Sequence, residues 1–294
     1  MVINKKGRLY NIAGMKIKIC SSEFAMFRNL DLFVCEDHSE IMLEMVVKAN
    51  SKISEPVGFL LINKDVKWVA ISEGIYSHSL YFCDEETKTI LCRADVNYEW
   101  GLAEITYLKN CPQAEGMVAG FLLEIIFRNR IIFNQGVVIH ASAVSYKGLG
   151  IIFTAPTQTG KSTQAKLWAK HLGAQVLNDD RPVLRLENRR TRVYGTPWSG
   201  EKRLFLNKAV ELNAIILLEQ AKENRLKGLT LSTSCAQILP RCFLPYYDLE
   251  IMDKCLKTLG EMLLGVPVYL LECKPDREAV DLVFRAILNR QKYL

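Results

Sequence analysis

Residues 150–171 constrain this chain more than any others. Gly150-Ile151-Ile152-Phe153-Thr154 has the pattern of a short buried strand, and Ala155-Pro156-Thr157-Gln158-Thr159-Gly160-Lys161-Ser162 follows it at once, with Thr163 next. A helical pattern then runs from Gln164 to His171, with Ala165, Leu167 and Trp168 as its apolar positions. Residues 155–162 match the spacing G-x-x-x-x-G-K-[ST], except that Ala155 stands where the first glycine is usual. A strand entering such a loop and a helix leaving it aim the loop N–H groups and the helix N-terminus at one anion. The chain is therefore expected to be an α/β protein that binds nucleotide phosphate.

Each residue type in the loop has a physical reason. Gly160 lets the chain wrap a phosphate without a side-chain clash, Lys161 neutralises the β/γ-phosphates, and Ser162 offers a hydroxyl to Mg²⁺. Thr163 adds a hydroxyl or amide for the next phosphate, and Thr157, Gln158 and Thr159 complete the expected cradle. The competing reading is a plain helix start, capped by Ser162 with Lys161 in solvent; strand, loop and helix in succession favour phosphate. Ala155 suits the loop only at a negative φ.

Gly173-Ala174-Gln175-Val176-Leu177 reads as a second short strand, and Asn178-Asp179-Asp180 ends it about seventeen residues after the lysine. Two carboxylates beside a phosphate loop can divide the work, one taking a proton from an attacking hydroxyl and one holding Mg²⁺. The alternative is a polar turn that caps the strand. Pro182–Leu186 and Arg192–Thr196 form an expected hairpin, which conflicts with an all-parallel sheet and predicts a mixed one. The loop Gly195-Thr196-Pro197-Trp198-Ser199-Gly200-Glu201-Lys202-Arg203 either closes over substrate, with Glu201 near the metal, or packs Trp198 and solvates its charges. His140 ends a strand upstream; by spacing alone an isolated histidine is more often a packing residue than a catalytic one.

The remaining chain is less specific. Apolar runs at Met15–Cys20, Ile41–Val47, Val57–Ile62, Lys67–Ile71, Ser79–Cys83, Thr89–Arg93 and Leu102–Leu108 predict a β-rich part over residues 1–111. An amphipathic helix is expected from Gln113 to Ile132, opening a second domain over residues 112–294. Beyond the loop region, a strand is expected at Ala214–Glu219, helices at Thr233–Leu239 and Asp253–Leu264, a strand at Val268–Cys273 and a helix at Asp276–Asn289. Lys274, Asp276 and Arg277 either approach the nucleotide or serve the start of that last helix.

Composition excludes several classes. With 38 Lys+Arg against 32 Asp+Glu over 294 residues the net charge is +6, which does not indicate nucleic acid. The nine cysteines are scattered, without Cys-x-x-Cys spacing, and read as reduced core thiols. No signal-peptide pattern opens the sequence, and the most apolar segment, Met117–Phe133, carries Glu124, Arg128 and Arg130, so neither a leader nor a membrane span is expected. The expectation is a cytoplasmic protein without membrane contact; a homo-oligomer is compatible with it.

The string His140-Ala141-Ser142-Ala143-Val144, the Gly160-Lys161-Ser162-Thr163 loop, Asn178-Asp179-Asp180 and Gly195-Thr196-Pro197-Trp198 resembles the HPr kinase/phosphorylase family. Closer still are its stand-alone related proteins, within the group that shares a fold with ATP-dependent phosphoenolpyruvate carboxykinase. The resemblance covers about Gly136 to Leu288. It implies a mixed-sheet P-loop kinase domain preceded by an unrelated β-rich part, and an ATP- and Mg²⁺-dependent transfer to a hydroxyl, expected to be serine, of a peptide or protein. It also implies site roles: His140 as the active-site histidine, Lys161 as the loop lysine, Asp179 as the general base, and Ser162 with Asp180 or Glu201 at the metal. Two departures stand out: Ala155, and the lack of the glycine-rich segment by which true HPr kinases bind HPr, which argues against HPr itself as acceptor. The alternatives are a nucleotide-binding regulator or maturation factor without phosphotransfer, and a small-molecule kinase.

Overall fold

Period-two burial builds the first part of the chain. The computed structural model describes residues 7–156 and 159–291, so Thr157 and Gln158 of the expected cradle lie outside the described residues. Strands β1 (Gly7–Ile12), β2 (Met15–Cys20), β3 (Leu43–Asn50), β4 (Phe59–Asn63), β5 (Lys67–Ala70), β6 (His78–Cys83), β7 (Ile90–Val96) and β8 (Leu102–Leu108) form one sheet in the order β1-β2-β3-β8-β7-β6-β5-β4. In β2, Met15, Ile17 and Ile19 alternate inward and are fully buried, while Lys16 and Lys18 are only partly so. The pairs β2–β3 and β3–β8 are parallel and the others antiparallel. Strand β1, absent from the sequence reading, pairs with β2 through a turn at Ala13 and Gly14, both at positive φ.

Helix α1 (Pro112–Met117) and helix α2 (Leu123–Arg130) are joined by a π-helical turn at Val118–Leu122 into one helical stretch, as the amphipathic pattern predicts. The chain divides into two compact units at Phe133/Asn134, so this stretch belongs with the first unit rather than opening the second. Among the described residues, no helix is long and apolar enough to cross a membrane.

The second unit contains β9 (Gly136–Val138), β10 (Ala141–Tyr146), β11 (Leu149–Thr154), α3 (Lys161–Leu172), β12 (Gln175–Asn178), β13 (Val183–Glu187), β14 (Arg190–Tyr194), β15 (Ala209–Gln220), β16 (Arg225–Gly228), α4 (Leu231–Ile238), α5 (Leu249–Gly265), β17 (Val268–Cys273) and α6 (Arg277–Gln291). Its sheet runs β12-β10-β11-β15, after which β15 divides its free edge. Its first residues pair with β14, which leads to β13 and β9, and Ile215–Gln220 pair with β17, which leads to β16. The sheet is mixed, as the 183–194 hairpin requires: β11–β15 and β15–β17 are parallel and the hairpins antiparallel. Strand β10 lies between His140 and the loop strand, a hairpin that the apolar pattern alone does not separate.

The core of this unit fixes the loop. Phe153 at the end of β11 and Trp168 of α3 pack at a centroid distance of 5.9 Å. Ala165 of α3 and Ala279, Val280, Val283 and Ile287 of α6 join them in one buried cluster. Burying these side chains holds α3 in line with the strand that feeds it.

Candidate active site

Gly160 precedes α3 at φ 113°, ψ 15°, a conformation that a side chain would strain. It sends the chain from the loop directly into the helix whose first residue is Lys161. Ala155 has no positive φ, and its methyl lies in the buried cluster with Phe153, Ala165 and Trp168. Where the usual motif has its first glycine, this chain has a residue that packs. Lys161 is 8% exposed, and its Nζ donates to Ala155 O at 3.2 Å and Pro156 O at 3.3 Å. Burial lowers its pKa, and the Asp180 carboxylate opposes that shift. Ser162 is half-buried and Thr163 exposed in the first turn of α3.

Register brings the other groups to the loop. Ala141 pairs with Thr154 across β10–β11, which sets His140 opposite the start of the loop. Thr154 Oγ1 donates to His140 O at 2.8 Å, and Ala141 N donates to Asp180 O at 3.0 Å. Ser142 Oγ donates to Asp179 O at 3.2 Å. The histidine, the lysine and both aspartates therefore gather at one end of β10, β11 and β12. His140 Nε2 lies 3.3 Å from Asp180 Oδ1, and Arg181 Nε lies 3.2 Å from Asp180 Oδ2.

The two adjacent carboxylates are pushed in opposite directions. The His140 contact is the largest cause holding Asp180 below the usual carboxylate pKa, with Arg181 and Lys161 adding to it against burial. Asp179 is 8% exposed, and burial raises its pKa, only partly countered by the backbone N–H of Gly200 at 2.8 Å from Oδ1. Asp180 is shifted toward its anion and Asp179 toward its neutral form, a division that can serve acid–base work.

Asn178 carries the capping function that the sequence left open for the whole triplet. Fully buried, it donates from Nδ2 to Thr196 O at 3.0 Å, Thr196 Oγ1 at 3.1 Å and Trp198 O at 3.0 Å. Its Oδ1 accepts from Asp180 N at 2.9 Å and Arg181 N at 2.6 Å. The turn frees both aspartate side chains and ties the tryptophan loop to them. Trp198 is 6% exposed, so its ring packs rather than closing over solvent, whereas Glu201, Lys202 and Arg203 are exposed. Among the described residues no three His, Cys, Asp or Glu side chains converge as a metal cluster, and Glu201 takes part in no such group.

Asp276 accepts from Ala279 N at 3.1 Å, so it caps α6, while Lys274 lines a pocket of about 450 Å³ with Gly160, Thr163, Gln164, Gln220 and Cys273. A second pocket, about 320 Å³, adjoins the first: Thr159 and Leu218 line both, and Ala155, Pro156 and Arg241 line the second. Arg241 O accepts from His140 N at 2.8 Å. Sequence reasoning missed this arginine, because nothing local in Leu239-Pro240-Arg241-Cys242 marks it.

No protein-family model matches the chain, and no curated protein matches it. Among solved structures it is similar to the Hpr(Ser) kinase/phosphatase from Coxiella burnetii, at 15% identity and a TM-score of 0.30, over 53% of this chain and 90% of that one.

Proposed function

We propose that the second unit is an ATP- and Mg²⁺-dependent phosphotransferase acting on a hydroxyl, with a serine of a peptide or protein as the acceptor class. The observation that carries this reading is the convergence of the Gly160–Lys161 helix start with two adjacent aspartates of opposite pKa shift.

The donor phosphates lie along the loop, with Lys161 and the first-turn amides of α3 as their counter-charge. On this reading the nucleoside lies in the larger pocket, which Gly160 and Thr163 line together with Leu218, Gln220 and the Cys273-Lys274-Pro275 segment. The terminal phosphate then lies toward Ala155, His140 and the aspartates. Asp179 accepts the proton of the acceptor hydroxyl as its oxygen forms a bond to the γ-phosphorus; the bond from that phosphorus to the β–γ bridging oxygen breaks, and ADP leaves. His140 faces the same phosphoryl oxygens and is oriented by Asp180.

Mg²⁺ takes one or two carboxylates together with phosphate oxygens and water, so a three-residue protein cluster is not required. An ionised Asp180 and the Ser162 hydroxyl meet that need, with Glu201 as the further candidate. The ion would neutralise charge on the β- and γ-phosphates.

The test is label transfer from γ-³²P-ATP with Mg²⁺ to serine-containing peptides encoded beside its gene, and to small alcohols in a parallel arm. Lys161-dependent transfer to a peptide supports the reading. Nucleotide binding without transfer to any acceptor favours a regulator instead, and transfer in the small-alcohol arm alone moves the acceptor class.

A further inference from the structure

Helix α5 carries two apolar faces, and the second unit uses only one of them. Ile251, Cys255, Leu259 and Met262 recur at helical spacing and are buried, and the helix lies against β9, β13, β14 and α4. Asp248 fixes where it starts: its side chain accepts from Glu250 N and Ile251 N at 2.9 Å each, so Leu249 is held in a capped first turn.

A second series, Leu249, Asp253, Leu256, Gly260 and Leu264, follows the i, i+4, i+7, i+11, i+15 spacing of a single helix face turned away from that packing. Its three leucines are 85%, 39% and 70% exposed. One exposed leucine is ordinary on a protein surface, but three along one face form a stripe that the packing of the second unit does not use.

The stripe is complementary to itself. Laid antiparallel about a two-fold axis between Leu256 and Lys257, two copies of α5 bring Leu249 of each level with Leu264 of the other, and the two Leu256 side chains meet at the centre. Gly260 comes level with Asp253 of the other copy. A Cβ added at Gly260 meets nothing within 4 Å, so the surface is open there and the missing side chain allows the helix axes to approach.

Charge fits the same register. Asp253 and Lys257 stand four residues apart, yet among the described residues neither forms an ion pair. In the antiparallel pair Asp253 lies within one helical turn of Lys257 in the other copy, and the two-fold repeats the contact. A lipid surface would instead call for a predominantly cationic border, whereas Glu250, Asp253 and Glu261 alternate with Lys254 and Lys257 along this helix.

We infer that α5 is the contact surface of a homodimer, in which two copies of this chain pair antiparallel through Leu249, Leu256, Gly260 and Leu264 with reciprocal Asp253–Lys257 ion pairs. Nothing in this pairing depends on phosphotransfer, and its test needs no nucleotide. A contact built on one 17-residue helix from each copy is small for a protein interface, so association is expected in the micromolar range.

Sedimentation velocity of the full chain, across a concentration series spanning the micromolar range, tests it. The expected result is a reversible monomer–dimer equilibrium. Leu256→Glu sets two carboxylates against each other at the axis and should raise the dimer dissociation constant by about tenfold or more. At concentrations where both proteins are monomeric, its thermal melt should match that of the parent, which separates lost pairing from lost folding. Asp253→Lys and Lys257→Asp should each weaken the dimer, and the variant carrying both should restore it, because the reciprocal pairs re-form with their signs exchanged. A chain that stays monomeric throughout would overturn the inference, and slow hydrogen exchange along the exposed face of α5 in that monomer would give the stripe to the first unit instead. A dimer indifferent to Leu256→Glu would place the interface elsewhere, and a double variant as weak as the single ones would exclude this register; either result overturns the pairing.

Discussion

The backbone N–H of Gly200 donates to Asp179 Oδ1 at 2.8 Å, so the loop after Trp198 is fastened to the carboxylate that burial holds closest to its neutral form. This contact steadies the anion without abolishing the upward shift. Asp179→Asn keeps an oxygen for the Gly200 N–H and removes the proton acceptor. Phosphoryl transfer should fall by about 10²–10⁴, the usual contribution of a general base, while nucleotide affinity persists. The stability effect has a defined sign. A carboxyl whose folded pKa is raised favours the fold below its unfolded pKa and loses that contribution as pH rises through the folded value. The asparagine variant should therefore match or exceed the parent in thermal stability at pH 7, with the difference vanishing below about pH 4, near the ordinary carboxylate pKa.

Asp180 should behave in the opposite sense. Its folded pKa is depressed by His140, Arg181 and Lys161, so its contribution is present above the ordinary carboxylate value and is lost as pH falls through the folded one. Asp180→Asn should cost about 1.5–3 kcal/mol at pH 7, typical of hydrogen bonds to a charged group, and less at about pH 3, below the ordinary carboxylate value. Urea denaturation at the two pH values would show it; an equal loss at both would assign the effect to packing instead.

How much of this was legible in the sequence follows from range. The loop, its strand and its helix are consecutive, so period and motif locate them, and the Val183–Tyr194 hairpin announces the mixed sheet through its turn. The burial of the Ala155 methyl, the Asn178 cap and the partnership of His140 with Asp180 all depend on register between strands distant in the chain. Arg241 reaches the loop only because residues 139–243 close back on one another through the β9 end, a relationship with no local signature. Strand β1 escaped for a different reason: Arg8 and Asn11 break the apolar alternation that would mark it.

Lys161→Met retains most of the buried stem and removes the ammonium. Since burial already lowers the lysine pKa, the charge is held at some cost, and the variant should fold with stability close to the parent. Nucleotide binding should nonetheless fall by at least tenfold, because the loop amides alone face the β- and γ-phosphates. Fluorescent ATP titration beside a thermal melt separates the two effects; undiminished affinity would discredit the phosphate loop.

Asn178→Ala, at a fully buried position, leaves Asp180 N and Arg181 N without their side-chain acceptor and the Thr196 carbonyl without its side-chain donor, while Trp198 O keeps the Thr196 hydroxyl at 3.2 Å. A loss of about 3 kcal/mol is expected, at the upper end for uncompensated buried polar groups. The tryptophan loop should loosen before the sheet does. Hydrogen exchange would then report faster exchange at Gly200 N than at Ile152 N; uniform acceleration would mean that Asn178 supports the whole unit rather than the site.

Gly195 offers the sharpest steric test of how the loop is seated. A Cβ built there would lie 2.0 Å from Leu206 O and 2.4 Å from Leu177 O, both backbone atoms that no rotamer change can move. Leu177 O accepts from Leu206 N at 3.0 Å and Leu206 O from Lys208 N at 2.9 Å, beside Gly195 N donating to Lys208 O at 3.0 Å. Gly195→Ala must therefore separate the 204–208 segment from the end of β12, immediately before Asn178 and the aspartates. A loss of 3 kcal/mol or more is expected, beyond the ordinary range of overpacking, because the clash is with main chain. Gly74→Ala is the control: an added Cβ there meets nothing within 4 Å, although its φ of +91° adds backbone strain. The urea midpoint of Gly195→Ala should fall well below that of the control, and any residual transfer activity should fall with it; equal midpoints would show that the loop can be seated without this close approach.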